Sequence, residues 1–109
     1  FTRIGLENIK TIHRGFYCEQ PIIYRNNPKW EFLEEFRKIY PEMTIICDPS
    51  HIAGHKKYIY QIAKKAYSQG LDGLMVEVHN SPNNALSDSA QQLSPEEFKK
   101  LLNRLEYAT

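Results

Sequence analysis

Long apolar runs are missing from this sequence. No stretch approaches the roughly 20 residues that a membrane-spanning helix needs, and the first residues do not have the pattern of a secretory signal. An excess of one charge is missing too. Fourteen Lys and Arg against thirteen Asp and Glu leave a formal charge of +1, which gives no reason to expect nucleic acid or a membrane surface as partner. Cysteine is scarce. Cys18 and Cys47 are too few and too far apart for a disulfide framework or a CxxC metal site, and both are expected as reduced thiols in a cytoplasmic protein. Low-complexity tracts, internal repeats and a clear domain boundary are absent as well. What remains is ordinary globular composition, 41% hydrophobic and 25% charged over 109 residues, enough for one small domain with a large share of surface.

Three short apolar runs alternate with three helical patterns. Ile9 to His13 is the first run and ends in His13-Arg14-Gly15. A polar, proline-punctuated stretch from Cys18 to Pro28 leads to a helix over Pro28 to Ile39. There Trp30, Leu33 and Phe36 recur at helical spacing, Pro28 suits the first turn and Pro41 lies past the end. Met43 to Cys47 is β-branched and bounded by Pro41 and Pro49, as a strand buried on both faces would be. Asp48-Pro49-Ser50-His51 leaves it, Gly54 interrupts, and a helix follows with Ile59, Ile62, Ala63 and Ala66 on one face and Gly70 at its C′ position. The third run is Gly73 to His79. After a loop rich in Asn, Ser and Asp, Ser94 and Glu97 form a capping box for a last helix, whose stripe is Phe98, Leu101, Leu102 and Leu105.

Alternating strands and helices predict parallel βα units. Three such strands alone would leave both sheet edges open, whereas a complete barrel takes about 250 residues. The units of a barrel are present, but too few to close one.

Polar residues gather where each run ends: His13 and Arg14, then Asp48, Ser50 and His51, then Glu77 and His79, with Ser87 and Asp88 in the loop beyond. Strand C-termini form the active face of parallel βα folds. Glu77 interrupts the run Leu74 to Val78, where an unpaired buried carboxylate would cost several kcal/mol. Two partners remain open for it, a neighbouring Lys or Arg, or a metal shared with the imidazole of His51 and an oxygen of Asp88. Such a mixed nitrogen and oxygen set suits divalent Mn, Fe, Co or Zn. Arg14, followed by Gly15, is either a clamp for phosphate or carboxylate or one half of an interstrand ion pair. His13 and His79 are expected as core or supporting histidines, and His55 with Lys56 and Lys57 as a solvated helix start.

Five motifs occur in order: His13-Arg14-Gly15-Phe16, Tyr24-Arg25-Asn26, Asp48-Pro49-Ser50-His51 with Gly54, Val76-Glu77-Val78-His79, and Ala85-Leu86-Ser87-Asp88. Together they resemble the C-terminal part of the 3-deoxy-D-arabino-heptulosonate-7-phosphate (DAHP) synthase family, of the type related to the 3-deoxy-octulosonate-8-phosphate synthases. The likeness runs from about Ile9 to Leu105. It implies an α/β fold, a partial TIM (β/α)₈ barrel in which residues 1–109 supply the last three βα units of a class I aldolase-like barrel. It also implies metal-dependent condensation of phosphoenolpyruvate with erythrose 4-phosphate, opening the shikimate pathway to aromatic amino acids. Motif by motif, His51, Glu77 and Asp88 would be metal ligands. Arg14 and His51 would carry the catalytic roles, and Arg14, Arg25 and Asn26 would bind substrate.

The family's fourth ligand, a cysteine on an early strand, has no counterpart here, since neither Cys18 nor Cys47 lies in its motif. Its substrate lysines and its Lys-Pro-Arg-Thr loop are absent, and His55 stands where Arg is frequent. The 109-residue chain alone is therefore expected to be inactive. The resemblance implies a homo-oligomer and is compatible with a fused or associated chorismate mutase. The run from Gly5 to Gly15 favours the heptulosonate branch over the octulosonate enzyme. A noncatalytic half-barrel acting as an assembly module is the alternative of another class.

Overall fold

The computed structural model describes residues 9–19 and 22–108. Three parallel strands lie in the order β1-β2-β3: β1 Lys10–His13, β2 Thr44–Cys47 and β3 Gly73–Leu74. Helices α1 (Trp30–Ile39) and α3 (Ile59–Ser68) make the two crossovers, a short helix α2 (Pro49–Ala53) follows β2 directly, and α4 (Pro95–Ala108) ends the unit. Gly5 to Asn8, part of the run that favours the heptulosonate branch, lie outside the described residues.

The register pairs Thr11 with Ile45 and His13 with Cys47 on one face, and Ile12 with Ile46 on the other. Ile45 and Cys47 are fully buried. Cys47 packs into the core with Ile52 and Ala53 of α2, Ile59, Ile62, Ala63 and Ala66 of α3, Leu101 and Leu105 of α4, and Leu93. Ile12, on the opposite face, is 45% exposed. In a closed barrel that face is packed by the side chains of the other strands.

Three elements depart from the sequence reading. Helix α1 starts at Trp30, not in the turn containing Pro28, because Lys29 at its N-cap takes a left-handed conformation (φ 42°). Asp48 to Ala53 is not a plain loop: Pro49 at the first position and the Asp48 carboxylate accepting from His51 N–H nucleate one helical turn. The run Gly73 to His79 pairs as a ladder only at Gly73 and Leu74. Farther on, Val78 forms a parallel bridge with Leu93 instead, through His79 N to Leu93 O and Leu93 N to Glu77 O. The capping box at α4 forms as the sequence predicts, with Ser94 N donating to Glu97 Oε1 at 2.9 Å and Glu97 N to Ser94 Oγ at 3.1 Å. The Ser94 N–H, with Lys56 Nζ 3.0 Å from the other oxygen, holds the half-buried Glu97 carboxyl below its usual range. Gly70, at φ 74°, ends the turn after α3 as expected. Among the described residues, no helix is long and apolar enough to cross a membrane.

His13 is a core histidine. Its ring packs edge-on against Trp30 with centroids 4.9 Å apart, and Nε2 donates to Pro28 O at 2.6 Å. Nδ1 is buried with no partner. Burial lowers the pKa of the ring from 6.5, and the Pro28 carbonyl only partly opposes this. The neutral ring is thus the folded form. The unfolded chain binds the extra proton first, so the contribution is complete above about pH 6.5 and is lost as pH falls toward the lowered folded value. Melting temperature measured from pH 7.5 to 5 should fall more steeply for the wild type than for His13→Phe; parallel curves would show that His13 does not titrate against folding.

Candidate metal centre

The ends of β2 and β3 and the loop before α4 converge on one point. Asp48, the residue after β2, is buried and works twice. Its Oδ1 accepts from the His51 backbone N–H at 3.0 Å, and its Oδ2 lies 2.6 Å from His51 Nδ1. With Nδ1 engaged by a carboxylate, the imidazole presents Nε2 to the site. Glu77 Oε1 lies 3.1 Å from that Nε2, and Asp88 Oδ2 lies 3.7 Å from it. One ligand atom from each of His51, Glu77 and Asp88 falls within 4.8 Å of the others.

The backbone brings these groups together from segments 26 and 11 residues apart. Glu77 N donates to Ser50 Oγ at 3.0 Å, which ties the strand end to α2. Asp88 sits at φ 52°, a left-handed conformation that Asp tolerates better than most residues. Arg25 NH1 donates to Asp88 Oδ1 at 3.0 Å and to Gln91 Oε1 at 3.0 Å. Asn26 Nδ2 donates to His51 O at 2.9 Å. Gln91 Nε2 and Gln92 Nε2 donate to the two oxygens of Glu77, at 2.5 and 2.6 Å.

The donor set fits a divalent cation. When Nδ1–H of a neutral ring faces Asp48, the Nε2 lone pair points toward two carboxylate oxygens, three acceptors without a donor among them. Either a second proton on the imidazole or a cation between the three groups resolves that arrangement. One imidazole nitrogen with two carboxylates suits a divalent transition metal. Cys47 offers no thiolate to it: burial and the neighbouring Asp48 charge push its thiol up to about 12.

Of the residues singled out in the sequence, His51, Glu77, Asp88, Arg25 and Asn26 meet here. Arg14 stands at the rim, largely exposed, with Nε 3.9 Å from Asp48 Oδ2, the interstrand pair in a loose form. His79 is turned to a local role, Nδ1 accepting from Ser81 N at 2.9 Å. His55 is an exposed cap whose Nδ1 accepts from Lys57 N. Gln91 and Gln92 were not foreseen. The only sequence signal was two adjacent amides in a loop that already held Asp88.

The family model described as the DAHP synthetase I family matches residues 5–109. This chain belongs to that family. Over 63 residues, 58% of the chain, it is 38% identical to a phospho-2-dehydro-3-deoxyheptonate aldolase of Thermotoga maritima, covering 19% of that relative. Over 50 residues, 46% of the chain, it is 40% identical to a 2-dehydro-3-deoxyphosphooctonate aldolase of Helicobacter pylori, covering 18% of it. The chain thus spans about a fifth of the length of these curated relatives. A solved truncated form of 3-deoxy-D-arabino-heptulosonate 7-phosphate synthase from Thermotoga maritima superposes with a TM-score of 0.85 at 30% identity, over 97% of this chain and 40% of that one. The solved phospho-2-dehydro-3-deoxyheptonate aldolase of the same organism gives 0.79 at 31% identity, over 90% and 28%. As a DAHP synthetase I family member, the three-strand unit is part of a (β/α)₈ barrel, with its polar cluster on the C-terminal face where TIM-barrel active sites lie.

Gly54 sets the position of Arg25. Its φ is 73°, and a Cβ there would stand 2.5 Å from Arg25 Cβ. Gly54→Ala should cost about 1–3 kcal/mol in denaturant unfolding, from backbone strain and the displaced loop. An unchanged midpoint would show that the loop is not seated against α2.

Proposed function

We propose that this chain is the metal-binding C-terminal part of a DAHP synthase, and that the complete protein condenses phosphoenolpyruvate with erythrose 4-phosphate to DAHP and phosphate. The observation that carries this is the convergence of one ligand atom from each of His51, Glu77 and Asp88 within 4.8 Å in a member of that family. Mn, Fe, Co or Zn fits those ligands, and a divalent ion held by them supplies Lewis-acid polarisation of the sugar aldehyde.

The remaining chemistry belongs to the side chains. The methylene carbon of phosphoenolpyruvate forms the new bond to the aldehyde carbon. Water adds at the adjacent carbon, and phosphate departs by C–O cleavage. We assign Arg14, exposed at the end of β1, the role of holding a dianionic phosphate in bidentate fashion and favouring its departure. Arg25 and Asn26 lie beside the ligands, and the half-exposed guanidinium of Arg25 has donors left over for a substrate anion. Asp48 keeps His51 in one ring orientation throughout. These roles require strands that this chain does not contain, so the isolated 109 residues are expected to be inactive.

The octulosonate aldolases among the relatives make a second aldose acceptor the specific alternative. The deciding assay follows phosphate release by the full-length protein from phosphoenolpyruvate with either erythrose 4-phosphate or arabinose 5-phosphate. Turnover with erythrose 4-phosphate should be lost to chelator and restored by Mn²⁺. His51→Ala or Glu77→Ala should lower kcat on the order of a hundredfold or more, about 3 kcal/mol of transition-state stabilisation. Turnover with arabinose 5-phosphate alone would assign the sister reaction, and activity indifferent to chelator would sink the metal-dependent reading.

A further inference from the structure

Gln91 and Gln92 close the site on the side of the loop before α4. Both are buried, with 1% and 8% of their surface exposed. A side-chain amide has a donor at one end and an acceptor at the other, so its orientation must be fixed from outside. For Gln91 that is done by Arg25, whose guanidinium only donates: NH1 holds Oε1 at 3.0 Å. The NH₂ end of Gln91 then faces Glu77 Oε1 at 2.5 Å, and Gln92 Nε2 meets Oε2 at 2.6 Å.

We propose that Gln91 and Gln92 are positioning residues of the metal centre, a neutral amide clamp that fixes the Glu77 carboxylate in its ligating orientation, with Arg25 setting the orientation of Gln91. The inference rests on the metal-binding reading of His51, Glu77 and Asp88. Each oxygen of Glu77 receives one N–H and keeps a further lone pair for a cation. The clamp also carries no charge. A Lys or Arg in the same place would hold the carboxylate equally well, but would cancel the negative potential that draws a divalent ion. The positive charge of Arg25 is instead directed to Asp88 Oδ1 and the neutral Gln91 Oε1. Outer partners of this kind commonly govern metal affinity by ten- to a hundredfold.

The test uses Co²⁺ as probe, in the full-length protein, with affinity from chelator competition and ligand geometry from the visible absorption of the bound ion. Gln91→Met keeps the length of the side chain and removes its donor. It should weaken Co²⁺ binding about tenfold or more and change the visible spectrum, while the metal-free melting temperature shows the fold retained. Gln92→Met should act in the same direction. Because its amide holds the other oxygen, it decides the matter alone if Gln91→Met does not fold. Both variants binding Co²⁺ within about twofold of the wild type, with its spectrum, would overturn the clamp. The metal reading would still stand in that case if His51→Ala lost the ion. A wild type that takes up no Co²⁺ would overturn both.

Discussion

The two hydrogen bonds of the Asp48 carboxylate hold this site together. One oxygen caps the first turn of α2 and the other fixes the ring of His51 three residues on. A single side chain thereby sets both the backbone and the orientation of the imidazole, leaving Nε2 turned toward Glu77 and Asp88. Such a carboxylate is costly to bury, with 4% of its side chain exposed, and the cost is offset by these bonds and by Arg14 nearby. The same charge acts on Cys47, the residue before it, and helps keep that thiol protonated. One anion therefore orients the imidazole of His51 and adds to the burial that keeps the neighbouring thiol protonated.

The second constraint is the loop after β1, which is stitched over the end of α2. Phe16 and Asn27 form an antiparallel bridge, and Arg25 N and Asn26 N donate to Ala53 O and Ile52 O. Those carbonyls lie in the last turn of a helix and have no partner within it. The loop thus satisfies the helix while delivering Arg25 to Asp88 and Asn26 to His51. Close approach is possible because Gly15 and Gly54 both adopt positive φ where a Cβ would strike Asn26 or Arg25. Local backbone bonding, and not the side-chain cluster alone, sets the width of the site.

Much of this was legible because it depends on short-range pattern. The β-branched run before Cys47, the apolar face of α3 and the Ser94–Glu97 box are each specified within a few residues, and each forms where the sequence places it. Helix α2 was not legible: five residues are too few to show a period, and its nucleus is a carboxylate that also reads as a site residue. The third strand was overestimated for a different reason. Its apolar alternation continues to Val78, but a ladder needs a partner at every step, and past Leu74 the chain meets β2 once, at Met75, before turning to Leu93. Gln91 and Gln92 escaped because glutamine in a polar loop reads as solvated. Their burial is decided by Glu77, 14 and 15 residues earlier.

The sequence left two partners open for Glu77, a basic side chain or a shared metal, and among the described residues no Lys or Arg meets its carboxylate. A salt bridge would place Lys or Arg on the carboxylate. The basic residue nearest the cluster, Arg25, goes instead to the far oxygen of Asp88, and Arg14 goes to Asp48. Glu77 is met by two neutral amides and by His51. Two carboxylates thus face one imidazole nitrogen, and the Arg25 cation lies to one side, on Asp88. Coulomb repulsion between such close anions weakens when positive charge enters between them. A bland ion pair would have closed the gap with its own side chain. This arrangement instead brings one imidazole nitrogen and two carboxylate oxygens toward a common centre, a donor set that would suit a divalent ion.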